Sequence, residues 1–263
     1  MRKFSFVVCG IAAGLVALTG CATTTSGVAA PTVTTVNQLA ELMSSKTSAA
    51  RTAHMNLDVQ AAGQDITATG QVEFAGADSK IEMSMRIPSL GAMSMDLIGS
   101  TMYMKLPAGV LPTDKPWVKF DPNGTDPVSK ALSAIVSQEQ QNVDPTKVLS
   151  QIAPASTITK SGKDTIDGQS TTRYAISVDT AKLLKSNLIS PQLRQALTTS
   201  KAKLPPHMNY VMWINSSSLP VRFTLTETIS GQQVNLEMNY TDWGQPVSIQ
   251  APPADQVGPL PTH

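Results

Sequence analysis

The chain has 263 residues, with 20 Lys and Arg against 19 Asp and Glu, so its formal charge is +1. Nothing in that balance draws it to nucleic acid, and two cysteines in such a length exclude a disulfide framework. Aromatic residues are few (5 Phe, 3 Trp, 4 Tyr) while Met is abundant at 12.

The N-terminus opens on Arg2 and Lys3, followed by an apolar run from Phe4 to Leu18 that is too short to span a bilayer. Leu18-Thr19-Gly20-Cys21 closes this run with a branched aliphatic residue, a small residue and Gly before Cys. The four residues resemble the bacterial lipobox, which implies cleavage after residue 20 and a diacylglycerol on the Cys21 thiol. Removing residues 1–20 takes Arg2, Lys3 and Cys9 with it, turns the formal charge to −1 and leaves Cys21 as the only thiol. The expected organisation is a signal peptide over 1–20, a Thr-, Ser- and Gly-rich tether over 21–33, one domain over 34–250 and a frayed Pro-rich tail over 251–263.

The domain should begin with a helix, because Thr35 and Gln38 form a capping box before Val36, Leu39 and Leu42 or Met43 on one face. The period then changes to two. His54 to Ala61 alternates without a break, and Ile66, Ala68, Val72 and Phe74 continue after a turn at Gly63. Ile81, Met83, Met85 and Ile87 form a third row; Met93, Met95 and Leu97 a fourth; Met102, Met104 and Leu106 a fifth; a short strand spans Trp117 to Phe120. Tight turns between such strands predict an antiparallel meander with one wet and one apolar face, Glu82, Ser94 and Tyr103 pointing to the wet one. Asp126-Pro127 and Asp144-Pro145 each set a helix start. A hairpin then joins Ser156–Lys160 to Thr171–Val178 across Gly162-Lys163-Asp164 or Asp167-Gly168. Asp179 and Ser190-Pro191 start two further short helices, and three strands follow, carrying Met212, Phe223, Leu225, Leu236 and Met238 in their apolar frames.

Strands of eight or more residues extend about 26 Å at ~3.3 Å per residue, and a long twisted sheet curls around a concave face that something must fill. The helices offer Val, Leu, Ile and Ala, whereas the strands offer Met83, Met85, Met93, Met95, Met102 and Met104. Unbranched Met conforms to ligands of variable shape, and it also fills gaps in a solid core. Strand alternation therefore nominates these six, with Met212, Phe223, Leu225, Leu236 and Met238, as lining either an apolar cavity or a closed core.

The pattern as a whole resembles the actinobacterial LppX/LprG-type lipoproteins, and more distantly the LolA/LolB lipoprotein carriers. The residues that carry it are Gly162-Lys163-Asp164-Thr165-Ile166-Asp167-Gly168, Thr172-Arg173-Tyr174, Met212-Trp213-Ile214 with Leu219-Pro220-Val221, Trp243-Gly244-Gln245-Pro246-Val247 and Ala251-Pro252-Pro253. The resemblance implies an α+β fold, a curved antiparallel β-sheet or half-open β-barrel with helices covering the concave apolar face, and a cavity for acylated lipids or glycolipids.

Catalytic chemistry is not legible. No Ser sits in a G-x-S-x-G elbow and there is no Gly-rich phosphate loop. His54, His207 and His263 are scattered without ligand-spaced partners, so neither metal nor cofactor is expected. Asp164 and Asp167 read as hairpin-turn residues. The expectation is a non-enzymatic lipoprotein on the extracytoplasmic face of the cell membrane. It would be held by its N-terminal lipid anchor, carry an acylated lipid or glycolipid and work with an envelope transporter. The alternative is a structural or sensory lipoprotein whose closed core supports binding of a protein partner.

Overall fold

A computed structural model describes residues 33–107, 109–110, 113–120, 144–186, 194–195 and 204–259. These lie in one compact unit, Val33–His263. The leader, Cys21 and the helix expected after Asp126 fall outside the described residues, as does most of the one after Ser190.

The chain enters through helix α1 (Val36–Ala50), started as its sequence predicts. The Thr35 hydroxyl accepts the Gln38 N–H at 3.2 Å, and the Gln38 side-chain oxygen accepts the Thr35 N–H at 3.2 Å. Val36, Leu39, Ala40, Met43 and Thr47 form its buried stripe at helical spacing. Arg51, in the left-handed region at φ 66°, ends the helix and turns the chain into the sheet.

Six strands follow: β1 (Thr52–Ala61), β2 (Gln64–Glu73), β3 (Lys80–Ile87), β4 (Gly91–Ile98), β5 (Thr101–Lys105) and β6 (Trp117–Phe120). Helix α2 (Pro145–Ile152) is capped by Asp144, whose carboxylate accepts the Thr146 N–H at 2.9 Å, with Pro145 at the position where a missing N–H costs nothing. Then come β7 (Ser156–Ile166), β8 (Gln169–Asp179), α3 (Thr180–Lys185), β9 (His207–Asn215), β10 (Pro220–Ile229), β11 (Gln232–Thr241) and β12 (Val257–Pro259).

All twelve strands make one sheet in the order β12-β6-β5-β4-β3-β2-β1-β11-β10-β9-β8-β7. The first six strands lay down one wing outward from β1. The chain then starts the other wing at its far edge, β7, and returns strand by strand to β11, which pairs with β1 from His54↔Thr241 to Ala61↔Val234. Every pairing is antiparallel except β12 with β6. The two edges, β7 and β12, do not meet, so the curved sheet stays open. Helices α1 and α2 pack on its apolar face over β8 and β9, where Leu39, Met43 and Leu149 join Tyr174, Ile176, Val178, Met212 and Ile214 in one core.

Two expectations are corrected. The hairpin between β7 and β8 turns at Asp167-Gly168, both in the left-handed region (φ 50° and 78°), as a two-residue turn matching the strand twist requires. Asp164 is therefore a strand residue, and its carboxylate accepts the Trp213 indole N–H at 2.8 Å. The segment from Ala251 to Pro259 is not a frayed tail. After β11 the chain crosses the outer face as a strap: Gly244 donates to the Thr52 carbonyl at 3.0 Å, and the Thr52 hydroxyl donates to the Gln245 carbonyl at 2.7 Å. Gln71 reaches the Ser248 carbonyl at 3.5 Å, Ile249 is buried, and Val257–Pro259 dock beside Trp117–Lys119.

Candidate functional site: the apolar face of the sheet

Strand register places all eleven nominated strand residues on one face. One row runs Tyr174, Met212, Phe223, Met238, Leu57, Ala68, Met85, Met93 across eight strands. A second runs Tyr240, Met55, Gly70, Met83, Met95, Met104, Val118. Leu225 and Leu236 pair in a third with Val59 and Ile66. Glu82, Ser94 and Tyr103 lie on the opposite face, as alternation requires.

Burial along these rows is graded. At one end of the strands, Ala53, Val72, Ile81, Leu97, Met102 and Phe120 form a closed core. Trp243 plugs that end, stacked on Phe74 and on Tyr240 with ring centroids 5.6 Å apart in each pair, and its indole N–H donates to the Pro220 carbonyl at 2.8 Å. Burial, and after it the Asp144 carboxylate, raises the Tyr240 phenol above its ordinary pKa. Toward the other end, Leu57, Val59, Ile66, Met83, Met85, Met93 and Met95 are only half-buried, as are Leu225, Leu236 and Met238. Leu90, in the β3–β4 turn, and Val110, in the β5–β6 loop, are exposed at that same end.

The nominated residues therefore divide. Met102 (4% exposed) sits in the closed core and Met212 (2%) lies beneath the helices, so both act as packing. Met83, Met85, Met93, Met95, Met104, Phe223, Leu225, Leu236 and Met238 retain accessible apolar surface.

One residue on this face was missed. In β10 the frame Phe223, Leu225, Glu227, Ile229 puts a carboxylate where the pattern calls for an apolar side chain, and Glu227 is 9% exposed. The break in alternation was visible in the sequence. Pairing between β9 and β10 ends at Leu225↔Tyr210, although β10 continues beside β11 to Ile229 and β9 beside β8 to His207. The two strands part there, and Glu227 Oε1 accepts both the Asn209 backbone N–H and, at 3.2 Å, the Asn209 side-chain amide. Tyr210, stacked on Phe223 with centroids 5.3 Å apart, has its phenol pKa raised by burial and then by the Glu227 charge.

The motif residues of the second wing gather on the outer face. Arg173, Trp213, Arg222 and Asn239 are neighbours across β8 to β11. The Arg173 guanidinium lies 5.7 Å from the Trp213 ring centre, and Arg222 reaches Asp167 at 3.2 Å and Glu237 at 3.4 Å. The hydrogen bond from Trp213, and then that from the Thr165 N–H, hold Asp164 below the usual carboxylate pKa. These residues brace the sheet rather than line its apolar face. His54 lies on the outer face, 3.4 Å from Asp242. Among the described residues no three His, Cys, Asp or Glu come together as a metal site, and no helix is long and apolar enough to cross a membrane.

The fold is similar to that of the lipoprotein LppX of Mycobacterium tuberculosis, with a TM-score of 0.51, 14% identity, and coverage of 82% of this chain and 98% of that one. MucB of Pseudomonas aeruginosa in complex with MucA (TM-score 0.37, 11% identity, 83% of this chain and 60% of that one) is less similar. So is a DUF1329 family protein from Desulfovibrio piger (0.29, 10%, 79% and 90%). No protein-family profile matches the sequence, and no curated protein matches it.

Proposed function

We propose that the protein is a non-enzymatic lipoprotein, anchored through Cys21 on the extracytoplasmic face of the cell membrane, that binds and carries an acylated lipid or glycolipid. The observation that carries this reading is the graded burial of the Met-rich face, which leaves Leu57, Val59, Met85, Met93, Leu225 and Leu236 half-buried in one continuous patch. The LppX-like fold and the Leu18–Cys21 motif support it.

The mechanism is exchange of environment. Acyl chains would leave the bilayer for a surface of thioether and branched aliphatic groups, at about 0.8 kcal/mol per methylene in either place. A carrier surface that only matches the membrane can release what it takes up, and a polar head group would stay at the open end of the strands.

Mass spectrometry of an organic extract from the purified soluble domain is expected to reveal a stoichiometric acyl lipid. A paired substitution tests the location. Met93→Trp, in the half-buried patch, should leave the melting temperature nearly unchanged and lower the affinity for a fluorescent acyl lipid. Met102→Trp, in the closed core, should cost roughly 1–3 kcal/mol by overpacking. Equal destabilisation by both, in a protein that binds no lipid, would establish a closed core and leave protein-partner binding as the function of the fold.

A further inference from the structure

Glu227 needs a reason to be Glu rather than Gln. Its Oε1 replaces the missing β10 carbonyl for the Asn209 N–H where β9 and β10 part. A Gln would do that equally well through its amide oxygen, without placing a carboxylate on a face of apolar side chains. The second oxygen, Oε2, accepts no hydrogen bond among the described residues and keeps contact with solvent, where a bound head group could meet it. It belongs to a side chain nine-tenths buried, on the same face as Leu225, Ile229 and Val234. Tyr210 stands across from Leu225, and among the described residues its hydroxyl has only the weak acceptor Sδ of Met208, at 3.7 Å. A carboxylate oxygen and a phenol on one apolar face, near enough for the Glu227 charge to raise the phenol's pKa, put an acceptor in reach of a group that both donates and accepts. Neighbouring hydroxyls have that same alternation of donor and acceptor.

Resting on the carrier reading, we propose that Glu227, with Tyr210 beside it, recognises a hydroxyl-bearing head group of the bound lipid. The acyl chains would lie along Leu225, Leu236, Val59 and the Met rows, and the first polar segment would reach the gap between β9 and β10. A hydroxyl there donates to Glu227 Oε2 and accepts from the Tyr210 hydroxyl. A head group without donors leaves the carboxylate unpaired on binding, which is the stronger source of discrimination.

The test uses the mature chain and three fluorescent lipids with the same acyl chains: monogalactosyldiacylglycerol, phosphatidylcholine, which has no donor, and phosphatidylethanolamine, which offers an ammonium. Wild type is expected to prefer the galactolipid over phosphatidylcholine by about tenfold, the weight of one hydrogen bond to a charged group. Glu227→Gln should erase most of that preference without weakening phosphatidylcholine binding, since its amide still serves Asn209. Tyr210→Phe should reduce the preference by less. It also decides the matter if the Glu227 variant fails to fold. Equal binding of all three lipids by wild type, or a preference that survives both substitutions, overturns the inference and leaves the carrier reading standing. A preference for phosphatidylethanolamine over the galactolipid overturns the hydroxyl assignment. Binding of none removes both.

Discussion

Asp96 shows how far a single side chain reports on its surroundings. It sits on the outer face of β4, between Glu82 on β3 and Tyr103 on β5, and is 5% exposed. Burial, and after it the Glu82 charge, push its pKa up to about 6. A carboxyl raised above its unfolded value of about 3.9 binds its proton more tightly in the folded state. Stability therefore grows as pH falls from about 6 toward 4 and is lost as pH rises through 6. Thermal melts between pH 4.5 and 7.5 should show that decline in wild type. Asp96→Asn should flatten it and raise stability at neutral pH by about 1 kcal/mol, a value discounted for partial solvent screening. A variant whose melting temperature tracks wild type at every pH would mean that Asp96 is solvated.

Among the elements, β2 shows how closely the strands approach. Gly70 lies in the second apolar row between Met55 and Met83, and a Cβ built there would run into the Glu82 carbonyl oxygen of β3. Backbone, unlike a side-chain tip, cannot swing away. Gly70→Ala should cost roughly 1–3 kcal/mol in denaturant melts, whereas Gly162→Ala, on an exposed strand with nothing within 4 Å, should cost much less. If the two variants melt together, the strands are further apart than described.

The same elements show what a sequence can disclose. Strands β1 to β5 and β9 to β11 were legible because one face is apolar and the other wet, so residues such as Met83 and Glu82 alternate. Helix α2 was legible because Asp144-Pro145 can do little else. Strand β7 was legible only over Ser156–Lys160, because Thr159 to Thr165 is exposed on both faces and alternation carries no information there. Strand β12 pairs through its backbone over three residues, and backbone hydrogen bonds leave no mark on composition. At the candidate site, the Met rows could be read from periodicity. The difference between Met93 and Met102 could not, since it depends on how the ends of distant strands are plugged.

For the molecule as a whole, the strap from Trp243 to Pro259 ties the second wing's last strand to the far edge of the first. It crosses the row containing Gln71 and Glu82, and its own Ile249 is buried. Ending the chain at Val247 removes Ile249 and β12 together. The expected loss is about 5 °C in melting temperature, from roughly 2 kcal/mol of apolar burial in a domain of this size. The pH dependence due to Asp96 should weaken in the same melts, because water would then reach its carboxyl. A truncated chain that keeps both properties would show that the strap is only a connector.

The pairing of β1 with β11 has a consequence for time as well as for form. Strand β1 is among the first parts of the domain to leave the ribosome, and its partner from Val234 to Thr241 is among the last. Until β11 arrives, the edge of the first wing presents a row of free N–H and C=O groups alongside Met55, Leu57 and Val59. Closing a contact across nearly the whole domain is slow compared with forming the local hairpins on either side. A chain built this way leaves the ribosome with its central seam unmade, and until β11 arrives it depends on protection of that edge as much as on any contact in the finished sheet.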